Sequence, residues 1–314
     1  GKTVEDLEYA LRSDILMFNA ESEQEVNLLN DTAEKLGRKA GVAIRVNPDV
    51  DPQTHPYIST GLKENKFGID IKRSIREYAV AAGLSNLDVI GVSCHIGSQL
   101  TNVSPFVDAL GKLKELIEGL EDAGIHINFL DLGGGLGITY QEEEPPLPEE
   151  YATAIKGALG ETDLTLILEP GRVIMGNAGI LVTKVLYTKS SEDKNFVVVD
   201  AAMNDLMRPS LYGSYHGIQP VKITGGKRIK ADIVGPICES GDFIAKDREV
   251  DSFEPGDLIA IMSAGAYGFS MSSTYNSRPR VAEVMVKGDL YYTIRERESH
   301  EDLVRGEAIP EFLL

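Results

Sequence analysis

The chain has 314 residues, is 42% hydrophobic and carries a formal net charge of −18 at pH 7. That length predicts about two domains and allows a sizeable core, and the acidic balance disfavours binding to nucleic-acid backbones or anionic membranes. No apolar run reaches the ~20 residues of a membrane helix, and the two cysteines, Cys94 and Cys238, form no disulfide framework, which points to a reducing cytoplasm.

The first half alternates strands and helices. Residues 14–20 (DILMFNA) read as a strand and 23–39 as a helix. The strand at 41–47 (GVAIRVN) ends at Pro48, and 71–82 is helical. A strand at 88–96 (DVIGVSCHI) precedes a helix at 105–123, where Phe106, Leu110, Leu113, Ile117 and Leu120 recur at helical spacing. Strands at 127–132 and 164–168 flank a helix at 149–159, and the acidic, proline-rich segment 142–150 reads as a solvated loop. Apolar strands separated by amphipathic helices imply a parallel sheet covered by helices.

The pattern contains five such strands and then stops alternating. A (β/α)₈ barrel needs eight. Counting back from the last, the first strand here is the fourth, so roughly 75–100 residues are expected to precede this segment, at barrel lengths near 250 residues. Residues 1–175 are assigned to the barrel. From 176 to 314 the chain is strand-rich, with runs such as ILVTKVLYT, NFVVVDAA, RIKADIVG, DLIAIMS, RVAEVMV and LYYTIRE between turn residues, including 224–226. This predicts an all-β domain.

Two motifs close the last two barrel strands. Gly133, Gly134 and Gly135 follow FLDL, and Glu169, Pro170, Gly171 and Arg172 follow LTLIL. A glycine triplet bares backbone N–H groups, which suit a phosphate, though the same triplet also serves a tight strand–helix turn. A carboxylate and a guanidinium at the next strand end supply opposite charges. The loops after barrel strands seven and eight often bind phosphate. Together these point to a phosphorylated cofactor at the strand ends. No cluster suggests a metal site.

The ordered set HIGSQ, LDLGGGLGI, EPGR, MRPSLY, CESGD and AGAY resembles the fold-type III pyridoxal-phosphate decarboxylases, and within them the branch that acts on diaminopimelate. The resemblance covers nearly the whole chain. It implies pyridoxal 5′-phosphate as cofactor and decarboxylation of meso-2,6-diaminopimelate to L-lysine and CO₂, the last step of lysine synthesis. Glu169 would bind the pyridine nitrogen and keep it protonated; an alanine racemase, which shares the barrel, is expected to place a cation there. Gly133, Gly134, Gly135, Pro170, Gly171, Arg172 and Ser98 would surround the phosphate, with Tyr267 as a further contact. His95 would stack on the cofactor ring.

The same resemblance implies that Arg172, Arg208 and Tyr212 hold the distal carboxylate of the substrate, with Tyr267 beside it. An arginine fork suits a planar carboxylate. Cys238 would reprotonate the carbon that lost CO₂, and Glu239 would pair with the ammonium at the distal centre, taken as the D-configured one. The loop Cys238–Asp242 would reach into the active site of a second subunit, which implies a homodimer with shared sites. Each residue also has a plainer reading. Glu169 alone fits a surface carboxylate, His95 a structural histidine, Cys238 a buried small hydrophobe, Arg208 a rim ion pair and Tyr267 a core tyrosine.

One departure stands out. The family holds its cofactor as a Schiff base to a lysine in a Tyr-Ala-x-Lys-Ala setting, and no such string occurs in these residues. Lys2 and Lys66 lie elsewhere in the pattern and are not assigned that role, so the segment by itself is expected to be inactive. Two other readings remain: a decarboxylase of another basic amino acid or a carboxylated polyamine, and a non-catalytic homologue that has lost the lysine.

Overall fold

Thr3 opens the first helix, α1 (Val4–Arg12), with a reciprocal cap: its hydroxyl accepts the Asp6 N–H at 3.2 Å and the Asp6 carboxylate accepts the Thr3 N–H at 2.9 Å. The computed structural model describes residues 1–51, 66–223, 225 and 227–313. They form two compact units, 1–138 with 143–173, and 139–142 with 174–314. The turn expected at 224–226 lies partly outside the described residues.

In the first unit, β1 (Phe18–Ala20), α2 (Glu23–Lys35), β2 (Ala40–Asn47), β3 (Ile69–Asp70), α3 (Ile71–Ala82), β4 (Leu87–Ser93), α4 (Ser104–Asp122), β5 (Phe129–Asp131), α5 (Pro148–Leu159) and β6 (Thr165–Ile167) follow in order. All strand pairs are parallel, in the order β1-β2-β4-β5-β6, with β3 added beside β2. The five expected strands are therefore the five on this path, and the fold is of the α/β barrel type. The acidic segment expected to be a loop over 142–150 is one only to Leu147, exposed or half-buried, and its last three residues form the first turn of α5.

Burial explains the strand pattern. Val42, Ile44 and Val46 of β2 are fully buried, as are Leu110, Leu113 and Leu120 of α4. Each such side chain contributes about 1.5–3 kcal/mol of transfer free energy. The pairing of β2 with β4 slips by one residue between Val42 and Ala43. Beside the slip, the buried Tyr78 hydroxyl accepts the Ile44 N–H at 3.2 Å and sits 3.0 Å from the carbonyls of Ile44 and Gly91. A polar group from α3 thus supports the irregular ladder. Helix α2 ends at Lys35, four residues before its apolar and polar pattern runs out, because Gly37 takes a left-handed conformation, φ +61°.

A short helix, α6 (Arg172–Met175), ends the alternating pattern. The second unit then contains β7 (Leu181–Ser190), β8 (Asn195–Val199), α7 (Arg208–Tyr212), β9 (Ile218–Pro220), β10 (Arg228–Val234), β11 (Phe243–Asp251), β12 (Leu258–Ile261), the hairpin β13 (Glu283–Lys287) and β14 (Leu290–Arg295), and α8 (His300–Leu303). Its main sheet runs β11-β10-β8-β7-β12-β9, antiparallel except where β10 meets β8. Two strands are new relative to the sequence reading. In β11 (FIAKDREVD) charges interrupt the apolar pattern, and β9 is only three residues long. Also new is α7, which puts Arg208 at the start of a helical turn.

Candidate active site

In the first unit the chemistry gathers at the carboxyl ends of the parallel strands, where barrels and open α/β sheets carry their sites. Asn19 lies within β1 and Glu21 follows it, Arg45 and Asn47 lie in the last three residues of β2, His95 follows β4, Asp131 ends β5 and Glu169 follows β6. The amide of Asn19 joins two carboxylates: its Nδ2 donates to Asp131 Oδ2 at 2.8 Å and to Glu169 Oε1 at 3.3 Å. Arg45 Nη1 donates to Glu21 Oε1 at 3.2 Å.

These neighbours set the charge states. Burial raises the Glu169 carboxyl above its ordinary value, and the nearby Asp131 raises it further; Arg45 pulls it down and Glu21 pushes it up. His95 is pushed down to about 4, first by burial and then by the Arg45 guanidinium, against the opposing pull of Asp131. It is therefore neutral near pH 7. Its Nδ1 accepts the Gly134 N–H at 3.2 Å, which leaves the proton on Nε2. Cys94 is buried, and burial together with Asp131 pushes its thiol up to about 12, so it stays protonated.

The glycine triplet has a different cause from the one its pattern suggests. Gly133 donates its N–H to Asp131 Oδ1 at 2.8 Å, and Gly134 donates to His95. Neither N–H is bare, so these two glycines do not offer a phosphate the unobstructed donors their pattern predicts. What demands glycine is close packing. A Cβ at Gly134 would lie 2.3 Å from the Glu169 carbonyl oxygen, and one at Gly135 would lie 2.5 Å from the Gly97 carbonyl oxygen. The triplet brings the loops after β4, β5 and β6 into contact, and so holds His95 and Glu169 in place. At Gly171 a Cβ would meet nothing. Arg172 is buried and grips Ser98, Nη2 to Oγ at 2.9 Å and Nε to Oγ at 3.4 Å.

In the second unit, α7 carries Arg208 and Tyr212. Arg208 is buried and Tyr212 lies at the surface. The Ser210 hydroxyl donates to the Gly241 carbonyl, tying α7 to the loop that contains Cys238 and Glu239. Asp242 shapes that loop: it is 4% exposed and accepts the N–H groups of Met203 and Ile237, both at 2.7 Å. Cys238 is exposed, which removes the plainer reading of it as a small core residue. Glu239 Oε1 accepts the Gly241 N–H at 3.1 Å, and the Tyr275 hydroxyl donates to its Oε2 at 3.3 Å. Tyr267 is partly exposed and has φ +57°, a strained conformation for an aromatic residue.

Comparison with known proteins decides the family. Residues 1–176 match the pyridoxal-binding domain of the pyridoxal-dependent decarboxylases. The chain is 54% identical over 309 residues to the diaminopimelate decarboxylase of Pseudomonas aeruginosa, covering 98% of this chain and 74% of that protein. It is 52% identical over 305 residues to the diaminopimelate decarboxylase of Aquifex aeolicus, covering 97% of this chain and 73% of that one. The chain belongs to the pyridoxal-dependent decarboxylases, in the diaminopimelate decarboxylase branch. The crystal structure of diaminopimelate decarboxylase from Helicobacter pylori complexed with L-lysine superposes with a TM-score of 0.93 at 45% identity, covering 97% of this chain and 76% of that one.

The residues of this decarboxylase fit pyridoxal phosphate. Asn19 Oδ1, Glu21 Oε2, Arg45 Nε and Asn47 Oδ1 are buried and make no hydrogen bond among the described residues. Buried polar atoms left without partners cost about 1–3 kcal/mol each, so the strand ends are built for a polar group. Three carboxylates, Glu21, Asp131 and Glu169, lie around Arg45 and Asn19, and a cationic ring N–H would relieve the raised Glu169. The pairing of Arg172 with Ser98 provides donors suited to a phosphate.

Several of these residues were not singled out from sequence. Arg45 had a signal, as the lone charge inside the apolar run GVAIRVN. Asp131 had one too, as the carboxylate immediately before LGGG. Asn19, Asp242 and Tyr275 had none, because their importance lies in which backbone or side-chain atoms they reach.

Proposed function

We propose that the protein decarboxylates meso-2,6-diaminopimelate to L-lysine and CO₂ in the cytoplasm, as a homodimer. Identity above 50% to named diaminopimelate decarboxylases, along 97–98% of the chain, carries this reading. The site residues support it. Bound pyridoxal phosphate supplies an electron sink for the pair left when CO₂ departs. Glu169 holds a proton at the ring nitrogen. Neutral His95, its Nδ1 fixed by Gly134, offers a flat uncharged face. Arg172 and Ser98 hold the phosphate, with Gly135, Pro170, Gly171 and Tyr267 around it.

Arg208 and Tyr212, with Arg172 and Tyr267, bind the substrate carboxylate that is kept. Glu239 binds the ammonium beside it. Cys238 delivers a proton to the carbon that lost CO₂, and its exposed position suits a loop that serves a second subunit. Stereochemistry corrects one expectation. The substrate has one centre of each hand, and L-lysine retains the L centre. The carboxylate that leaves therefore belongs to the D centre, and Glu239 faces the L-configured end.

The 314 residues alone would not fix the cofactor covalently. Lys2 donates to the Asn19 carbonyl at 2.7 Å and pairs with Glu25, and Lys66 lies over the Phe67 ring at 4.8 Å. Neither is placed as a desolvated nucleophile. Borohydride treatment with pyridoxal phosphate should label no single lysine of this chain, and a stoichiometric label would refute that part.

The direct test is CO₂ release by the full-length protein from diaminopimelate, ornithine and arginine. A preference for either of the last two defeats the substrate assignment. Shared sites are tested by mixing full-length Cys238→Ala with a full-length variant lacking its cofactor-anchoring lysine. Partial recovery is expected, and none after verified subunit exchange excludes them.

A further inference from the structure

Arg208 is buried in the second unit, at 7% exposure, and a histidine is among its partners. Arg208 Nη1 donates to His216 Nε2 at 2.9 Å. The other ring nitrogen, Nδ1, lies 2.9 Å from the Met262 carbonyl oxygen. A guanidinium offers no acceptor and a carbonyl offers no donor. His216 must therefore accept at Nε2 and donate from Nδ1, and only one neutral tautomer does both. The ring is completely buried.

Two further contacts hold the arrangement. The Tyr140 ring lies 4.6 Å from Arg208 Cζ and meets the His216 ring edge-on, with centroids 5.5 Å apart. Arg248 Nη1 donates to the His216 carbonyl at 3.0 Å, fixing the backbone from which the imidazole projects. One edge of the guanidinium is thus held by an imidazole, and an aromatic ring lies near one face. These contacts restrict how the plane of the arginine can turn. A planar fork binds a carboxylate well only in a defined plane, and a pre-set fork loses less freedom when it binds.

We propose that His216, with Tyr140, is a positioning residue: it sets the plane of the Arg208 guanidinium so that the fork meets the retained carboxylate of the substrate. This rests on Arg208 being the carboxylate-binding residue, and the experiment separates the two claims. L-lysine carries that carboxylate; 1,5-diaminopentane is the same molecule without it. Both are titrated calorimetrically into the full-length holoenzyme and its variants.

Arg208→Lys tests the underlying reading. It should weaken L-lysine on the order of tenfold or more, as expected for a lost charge-assisted hydrogen bond, and leave diaminopentane unchanged. If L-lysine binds Arg208→Lys as it binds the parent, the carboxylate assignment fails. His216→Leu tests the positioning role. It should weaken L-lysine about tenfold, with no further loss when combined with Arg208→Lys, because residues acting through one group do not add. The KM for diaminopimelate should rise while kcat changes little. His216→Gln, which keeps an acceptor and a donor, should recover most of the affinity.

Loss by Arg208→Lys but not by His216→Leu overturns the proposal, and so does equal loss of both ligands in His216→Leu. If that variant does not fold, the ¹⁵N spectrum of the parent decides. His216 should be the Nδ1–H tautomer near neutral pH, and an Nε2–H or doubly protonated ring overturns the role.

Discussion

Gly134 donates its backbone N–H to Nδ1 of His95, so a glycine fixed by packing also fixes the protonation state of an imidazole. With the ring neutral and held down to about 4, His95 should not titrate between pH 5.5 and 8. The sign for stability follows from the depressed value. The contribution is fully present above the ordinary histidine value of 6.5 and is lost as pH falls toward 4. A histidine NMR titration of the full-length protein checks this, and a midpoint near 6.5 for His95 would contradict it.

Glu169 behaves in the opposite sense. Its carboxyl is raised above 4.5, so its stabilising share is complete below that value and disappears as pH rises through the raised one. Without cofactor, Glu169→Gln should melt higher than the parent at pH 8, and by less at pH 5. Adding pyridoxal phosphate should reverse the order at pH 8, because the glutamine cannot balance a ring cation. Melting scans at the two pH values, with and without cofactor, read both effects. Equal destabilisation at both would mean that Asp131 and Glu169 do not compete as the contacts indicate.

The Ser98 hydroxyl accepts from Arg172 at 2.9 Å, and both are assigned to the phosphate. Ser98→Ala should lower affinity for pyridoxal phosphate about tenfold or more, at ~1.5–3 kcal/mol for a hydrogen bond to a charged group. Affinity for pyridoxal without phosphate should change little. Equilibrium dialysis with the two compounds distinguishes them, and equal loss for both would place Ser98 elsewhere.

How much of this was legible in the residues depends on range. The five apolar strands and α3, α4 and α5 follow from periodicity, because each is long enough to show its own pattern. Glu169 and Arg172 were legible because they follow an apolar strand whose direction was already known. The glycine triplet reads as a set of bare donors, but two of its N–H groups serve Asp131 and His95. That cannot be seen in one sequence, since the crowding atoms, the carbonyls of Glu169 and Gly97, come from other loops. His216 was invisible for the same reason: its value lies in meeting Arg208 and Met262, eight and forty-six residues away.

Asp242 holds the loop of Cys238 and Glu239 by receiving two backbone N–H groups on its two carboxylate oxygens. Asp242→Asn places an amide NH₂ against one of those donors. The cost should be about 1–3 kcal/mol, that of an unsatisfied buried polar group. Denaturant unfolding of the full-length protein measures it, and alkylation of Cys238 should become faster as the loop loosens. An unchanged unfolding midpoint would show that the loop does not depend on this carboxylate.

Glu239 sets the last expectation. Diaminopimelate keeps an ammonium and a carboxylate at its L centre, and Glu239 is the group assigned to that ammonium. Breaking a buried ion pair costs about 3–5 kcal/mol. Glu239 is exposed, with the Tyr275 OH and the Gly241 N–H on its oxygens among the described residues, so solvent screening brings the effect toward the lower end. Full-length Glu239→Ala should still lose at least about tenfold in kcat/KM, which is ~1.4 kcal/mol. Its cofactor spectrum should match the parent's, because the role assigned to Glu239 touches neither phosphate nor ring. Tyr275→Phe removes the hydroxyl that restrains Glu239 and should give a smaller loss in the same direction. Steady-state kinetics with diaminopimelate compare the three proteins. If Glu239→Ala turns the substrate over as fast as the parent, the ammonium is held by another group and the assignment of this loop to the L-configured end is wrong.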